Sequence, residues 1–144
     1  MADPSHAAQV DAWLERAAKG QPPQELLRLF DVALAALWAR TTPTLGEVTL
    51  TAIAERVTHN AGEKFPFFAT LKIDHTGGLG CDELRERITG SPRAPLLEAI
   101  RFVLVEFLTV LGNLTAEILT PELHAALGKV ALPRGSAGRK ETRK

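Results

Sequence analysis

Few side chains in this 144-residue chain have the chemistry of a reactive site, and His59 is the most suggestive of them. At 100° per residue it falls about 180° from the apolar stripe of its own helix, so it should face solvent. Glu55 and Glu63 stand four residues before and after it, where a carboxylate can engage an imidazole, and Asn60 follows directly. An exposed imidazole held this way is a nucleophile suited to accepting a phosphoryl group. His75 and Cys81 flank a glycine turn ahead of a helix start, a place that favours a thiolate, but Asp82 opposes one. The run Thr76-Gly77-Gly78-Leu79-Gly80 has the glycines of an anion cradle. It lacks the Lys and Ser/Thr of a phosphate loop and is followed by Asp82 and Glu83, so a turn is expected instead. The four histidines and single cysteine fall into no metal-ligand spacing, so neither metal nor cofactor is expected.

Over six residues, His59-Asn60-Ala61-Gly62-Glu63-Lys64 resembles the phosphoacceptor box of histidine phosphotransfer domains, although Gly62 here precedes the lysine rather than following it. The resemblance implies a helical bundle with His59 as phosphoacceptor and Glu55, Asn60 and Glu63 around it. Thr49 to Val57 resembles the first helix of a helix-turn-helix, which implies a winged DNA-binding regulator. Its recognition segment would be Gly62 to Leu71, which contains Pro66 and three phenylalanines but few groups that read bases.

These residues need a scaffold, and the apolar spacing supplies one. Val10, Trp13, Leu14 and Ala17 form a stripe that predicts a first helix starting near Ser5 and ending before Gly20. Pro22-Pro23 opens a second, with a wide apolar set from Leu26 to Trp38, broken at Thr41-Thr42-Pro43. Thr44 and Glu47 then read as a capping box for a third helix carrying Leu50, Ile53, Ala54, Val57 and Ala61. From Phe67 to Ile73 the period falls to two, which predicts a strand returning through Leu79 to Cys81 as a small β-hairpin insert. Asp82 to Gly90 reads as a short helix. Next, Leu97, Ile100, Leu104, Phe107, Leu111, Leu114 and Ile118 alternate spacings of three and four, a heptad seam over a long apolar helix spanning about 96 to 119. Thr120 and Pro121 would cap and start a last helix.

The fold expected is therefore mainly α, a bundle of about five to six helices with a small β-hairpin insert and a long heptad-patterned helix near the C-terminus. The seam residues Leu97, Ile100, Leu104, Phe107, Leu111 and Leu114 are the candidate interface of a homodimer, the alternative being burial within the chain. Ala and Leu supply 21 residues each, in keeping with helices. Seventeen basic residues balance seventeen acidic ones, which excludes a uniformly basic nucleic-acid binder. The zero divides unevenly. Residues 133–144 hold five basic groups against Glu141, while residues 1–132 carry twelve basic and sixteen acidic residues. A helical domain over 1–132 and a disordered basic tail over 133–144 are expected, with nucleic acid engaged, if at all, through that tail. One cysteine, no signal-peptide pattern and no uncharged apolar run of eighteen residues point to a cytoplasmic protein that does not enter a membrane. The arginine excess over lysine suggests a bacterial source. With no nucleophile, base and oxyanion donors brought together by spacing, the expected function is non-enzymatic: a regulatory or adaptor protein working through a protein partner.

Overall fold

The computed structural model describes residues 4–68, 72–73, 79–80 and 93–130, and among these the chain is mainly helical. The helices are α1 (Pro4–Ala17), α2 (Pro23–Leu45), α3 (Glu47–Lys64), α4 (Arg93–Leu114) and α5 (Thr120–Gly128). A 3-10 turn, Pro66–Phe68, follows α3. Described strand pairing amounts to Lys72–Ile73 against Leu79–Gly80, antiparallel, with Lys72 opposite Gly80 and Ile73 opposite Leu79. No described helix is long and apolar enough to cross a membrane.

Each helix buries the stripe its spacing defines. Val10 and Trp13 of α1 are fully enclosed, as are Leu50, Ala54 and Ala61 of α3. α2 buries Leu26, Leu27, Leu29, Phe30, Ala33, Leu34, Leu37 and Trp38, a face wide enough to be covered from several sides, and it packs on α3, α4 and α5. α4 packs against all four other helices and is the axis of the core. Aromatic pairs fix the contacts: Trp38 of α2 lies parallel to Phe107 of α4 at 6.4 Å, and Phe30 parallel to Phe68 at 6.1 Å.

Several boundaries differ from those the sequence suggests. α2 does not stop at Thr41-Thr42-Pro43 but carries Pro43 inside its last turn. Proline there removes one backbone donor and crowds the turn before it. The threonine hydroxyls meet that turn's carbonyls, Thr41 donating to Leu37 O at 2.9 Å and Thr42 to Trp38 O at 2.7 Å. Thr44 caps nothing. The break falls on Gly46, with φ 86° and ψ 158°, whose N–H donates to Thr42 O and whose carbonyl accepts from Leu50 N–H, so one residue ends α2 and starts α3. That conformation is available essentially to glycine alone. No atom lies within 4 Å of where a Cβ would sit, so Gly46→Ala should lose about 1–3 kcal/mol through backbone strain alone, read as a lower urea midpoint at unchanged m.

Phe67 does not begin a strand, because Pro66–Phe68 is a 3-10 turn closed by Phe68 N–H to Phe65 O, with Phe68 buried. Of the expected hairpin, Lys72–Ile73 and Leu79–Gly80 are described and pair as given above, while its other residues after Phe68, the Asp82 to Gly90 helix and the 133–144 tail lie outside the described residues. α4 ends at Leu114 rather than running on to Ile118. After it Thr115 donates its hydroxyl to Leu111 O, and Ala116 and Glu117 take left-handed conformations at φ 52° and 64°. Thr120, expected to precede α5 as its cap, is instead its first residue.

Candidate functional site

The predicted positions divide between two surroundings. His59 projects from the middle of α3, 72% exposed, with Nε2 3.6 Å from Glu63 Oε2. Glu55 is also exposed, Asn60 is partly covered, and the Glu55 carbonyl accepts from the Thr58 hydroxyl. The four residues thus share a solvent-facing stretch of one helix. Thr49 to Val57 lies inside that same helix, which runs without a break to Lys64.

The seam residues point the other way. Ile100, Leu104, Phe107 and Leu111 are buried inside the bundle, Leu97 is half-buried and Leu114 is exposed. The middle of the seam therefore packs within the chain rather than being offered to a second copy. The heptad spacing alone could not decide this, because a helix at the centre of a bundle and one at a dimer seam need the same pattern.

Leu97 lies at the edge of a groove of about 670 Å³ between α1 and α4, lined by Asp11, Leu14, Glu15, Lys19, Leu97, Glu98 and Arg101. Its position follows from helix periodicity: Asp11, Leu14 and Glu15 succeed one another along one face of α1, with Lys19 in the turn just after it, and Leu97, Glu98 and Arg101 lie along one face of α4. Leu14 and Leu97 are half-buried and supply an apolar floor. Arg101 bridges the walls as a two-pronged donor to Asp11, its Nη2 to Oδ2 at 3.2 Å. The hydrogen bond that it donates to Asp11, together with the carboxylate's charge, raises the Arg101 guanidinium above its ordinary value, so this cation is fixed at any working pH. Glu15 and Glu98 leave the rim acidic, with Lys19 the counter-charge.

A second constellation was invisible to local spacing. His6 of α1 has no exposed surface. Its Nδ1 shares a hydrogen bond of 2.9 Å with Nε2 of His124 on α5, and the rings meet edge to face with centroids 5.1 Å apart. Nε2 of His6 faces Glu117 Oε1 at 3.3 Å, close enough for charge attraction but not aligned as a hydrogen bond. The left-handed turn after α4 brings Glu117 there, its N–H donating to Gly112 O at 2.7 Å and its carboxylate accepting from the Thr120 hydroxyl. Gly112 leaves room for that carboxylate, since a Cβ would stand 2.7 Å from Oε1. Nearby, Trp13 Nε1 donates to Val130 O at 2.9 Å and Arg16 to Gly128 O at 3.1 Å, so α1 and the end of α5 are joined at three levels. His6 and His124 are 118 residues apart, and no periodicity links them.

Among the described residues no group of three or more His, Cys, Asp or Glu is arranged to hold a metal ion. The chain matches no protein-family model, and no curated protein or solved structure matches it either.

Proposed function

We propose that this chain is a non-enzymatic interaction module whose α1–α4 groove receives an amphipathic helix of a protein partner. The observation that carries the reading is the groove itself: rows of side chains from two helices with Leu14 and Leu97 below and Asp11, Glu15 and Glu98, against Lys19 and Arg101, around them. A helix laid in such a groove buries apolar residues spaced i, i+3/i+4, i+7 and sets its flanking charges against the rim. The acidic excess favours a partner helix with basic flanks. With Ile100, Leu104, Phe107 and Leu111 enclosed within the bundle, the groove, rather than the middle of the heptad seam, offers an apolar surface for recognition.

A display library of amphipathic sixteen-residue helices, selected on the full chain, tests this. Selected peptides should carry apolar anchors at helical spacing with Lys or Arg beside them. Leu97→Asp should weaken their binding at least about tenfold, or about 1.4 kcal/mol, in a chain that stays folded, since half-burial of Leu97 limits the stability loss to about 1 kcal/mol. Peptides that bind the Leu97→Asp variant equally well would remove the groove from the account.

One observation favours a second reading, phosphotransfer signalling, namely the exposure of His59 in mid-helix with Glu63 beside it. An acid-labile phosphoryl label from a small phosphodonor, present on the wild-type chain and lost in His59→Gln, would support it. Label retained by His59→Gln would dismiss His59 as the acceptor.

A further inference from the structure

Over residues 1–132 the chain carries sixteen acidic against twelve basic groups, yet the surface where α5 lies on α2 has the opposite sign. The two helices leave a groove of about 550 Å³ there. Val32, Ala36, Ala39 and Arg40 line it from one face of α2, and Ala126 of α5 and Lys129 just after that helix close the other side. Three alanines keep the floor low, which lets a further helix pack close to both backbones. Val32 is 42% exposed, a large aliphatic side chain that the bundle leaves in water. Among the described residues no carboxylate lines this groove. Arg28 and Arg101 each face a carboxylate, whereas among the described residues the exposed side chains of Arg40 and Lys129 have no partner. Lys129 is also held in position, because α1 grips the carbonyls on either side of it, Arg16 at Gly128 O and Trp13 at Val130 O. Beyond Val130 the sequence adds five basic groups against Glu141.

We propose that the α2–α5 groove is a second docking surface, one that binds a short acidic amphipathic helix of a protein partner. The incoming helix lays its aliphatic side chains on Val32 and the alanines and sets its carboxylates beside Arg40 and Lys129. The stretch from Val32 to Arg40 is roughly 12 Å long, so about two turns of the partner make the contact. Two cations without partners reward carboxylates and repel basic helices, which selects the partner by sign as much as by affinity. Nucleic acid is the poorer match, since a phosphate backbone calls for many cations along its length and gains little from an aliphatic floor. The α1–α4 groove, with Glu15 and Glu98 at its edges, takes the other sign, and this assignment stands without it.

The test presents a library, in which two turns of a carrier helix are randomised, to the full-length chain bearing Leu97→Asp, so that the other groove does not contribute. Recovered helices should carry aliphatic residues at i and i+3 or i+4 with Asp or Glu beside them. Measured by fluorescence anisotropy, their binding should weaken at least about tenfold on adding Arg40→Glu with Lys129→Glu, and about threefold on adding Val32→Ser. Arg40→Gln with Lys129→Gln, which changes no shape at the exposed rim, should lower it severalfold and serves where the Glu pair lowers the urea midpoint. Glutamine at Arg134, Arg139, Lys140, Arg143 and Lys144 together should leave binding within about twofold. Recovered helices without an acidic bias overturn the assignment, as do acidic helices indifferent to the substitutions at Arg40 and Lys129. Binding abolished by the five C-terminal substitutions alone also overturns it, since general attraction to basic charge then suffices. A short DNA duplex that binds through Arg40 and Lys129 where no acidic helix does would assign the surface to nucleic acid instead.

Discussion

Replacing Trp13 by alanine should lower stability by about 3–5 kcal/mol, enough to leave a domain of ordinary stability barely folded. The ring is fully enclosed by the bundle, and its indole N–H is spent on Val130 O, just beyond the last turn of α5. Alanine removes the packing and orphans that carbonyl together, and the close-packed surroundings cannot collapse into so large a void. Trp13→Phe separates the two effects, because it keeps most of the ring and loses only the donor. Its cost should be about 1–3 kcal/mol. Urea titrations at constant pH give both values, and a Phe variant as unstable as the Ala variant would mean that the hydrogen bond outweighs the packing.

Phe107→Ala should be comparably damaging, again by about 3–5 kcal/mol, because Phe107 is fully enclosed at the centre of α4 and lies parallel to Trp38 of α2. The manner of the loss separates a protomer core from a subunit seam. A residue inside one chain destabilises that chain at any protein concentration, whereas one at an obligate interface makes the midpoint rise with concentration. The expected result is a midpoint independent of protein concentration from one to one hundred micromolar in both wild type and Phe107→Ala. A midpoint that climbs across that range would return Ile100, Leu104, Phe107 and Leu111 to an interface.

The helical character was legible because it is periodic. Val10 and Trp13, or Leu50, Ala54 and Ala61, recur at the helical interval and are buried for the same reason. Boundaries were harder because several residue types compete to punctuate a chain. Thr41, Thr42 and Pro43 carry the usual marks of a stop, yet the threonine hydroxyls satisfy carbonyls of their own helix and the break falls on Gly46, the residue able to hold φ 86° and ψ 158°. Thr120 looks like a cap, but its hydroxyl is drawn to Glu117 by a left-handed turn that no local pattern announces. The direction in which α4 spends its apolar face depends on which helices surround it, a property of tertiary packing. The groove needed two helices to be set side by side, and Leu14 and Leu97 are ordinary stripe residues until they are. The His6–His124 pair lies further still from sequence reading, with 118 residues between partners and nothing periodic to connect them.

A photo-crosslinking residue placed at Leu97 and, separately, at His59 tests most directly where the chain meets its partner. Both positions are at least partly accessible, on different helices, so each reports a different face. Irradiated in the cells from which the protein comes, the Leu97 probe should give a discrete adduct with another protein, and adding Leu14→Asp should abolish it. Adducts from His59 with none from Leu97, or Leu97 adducts indifferent to Leu14→Asp, would contradict the groove as the site of recognition.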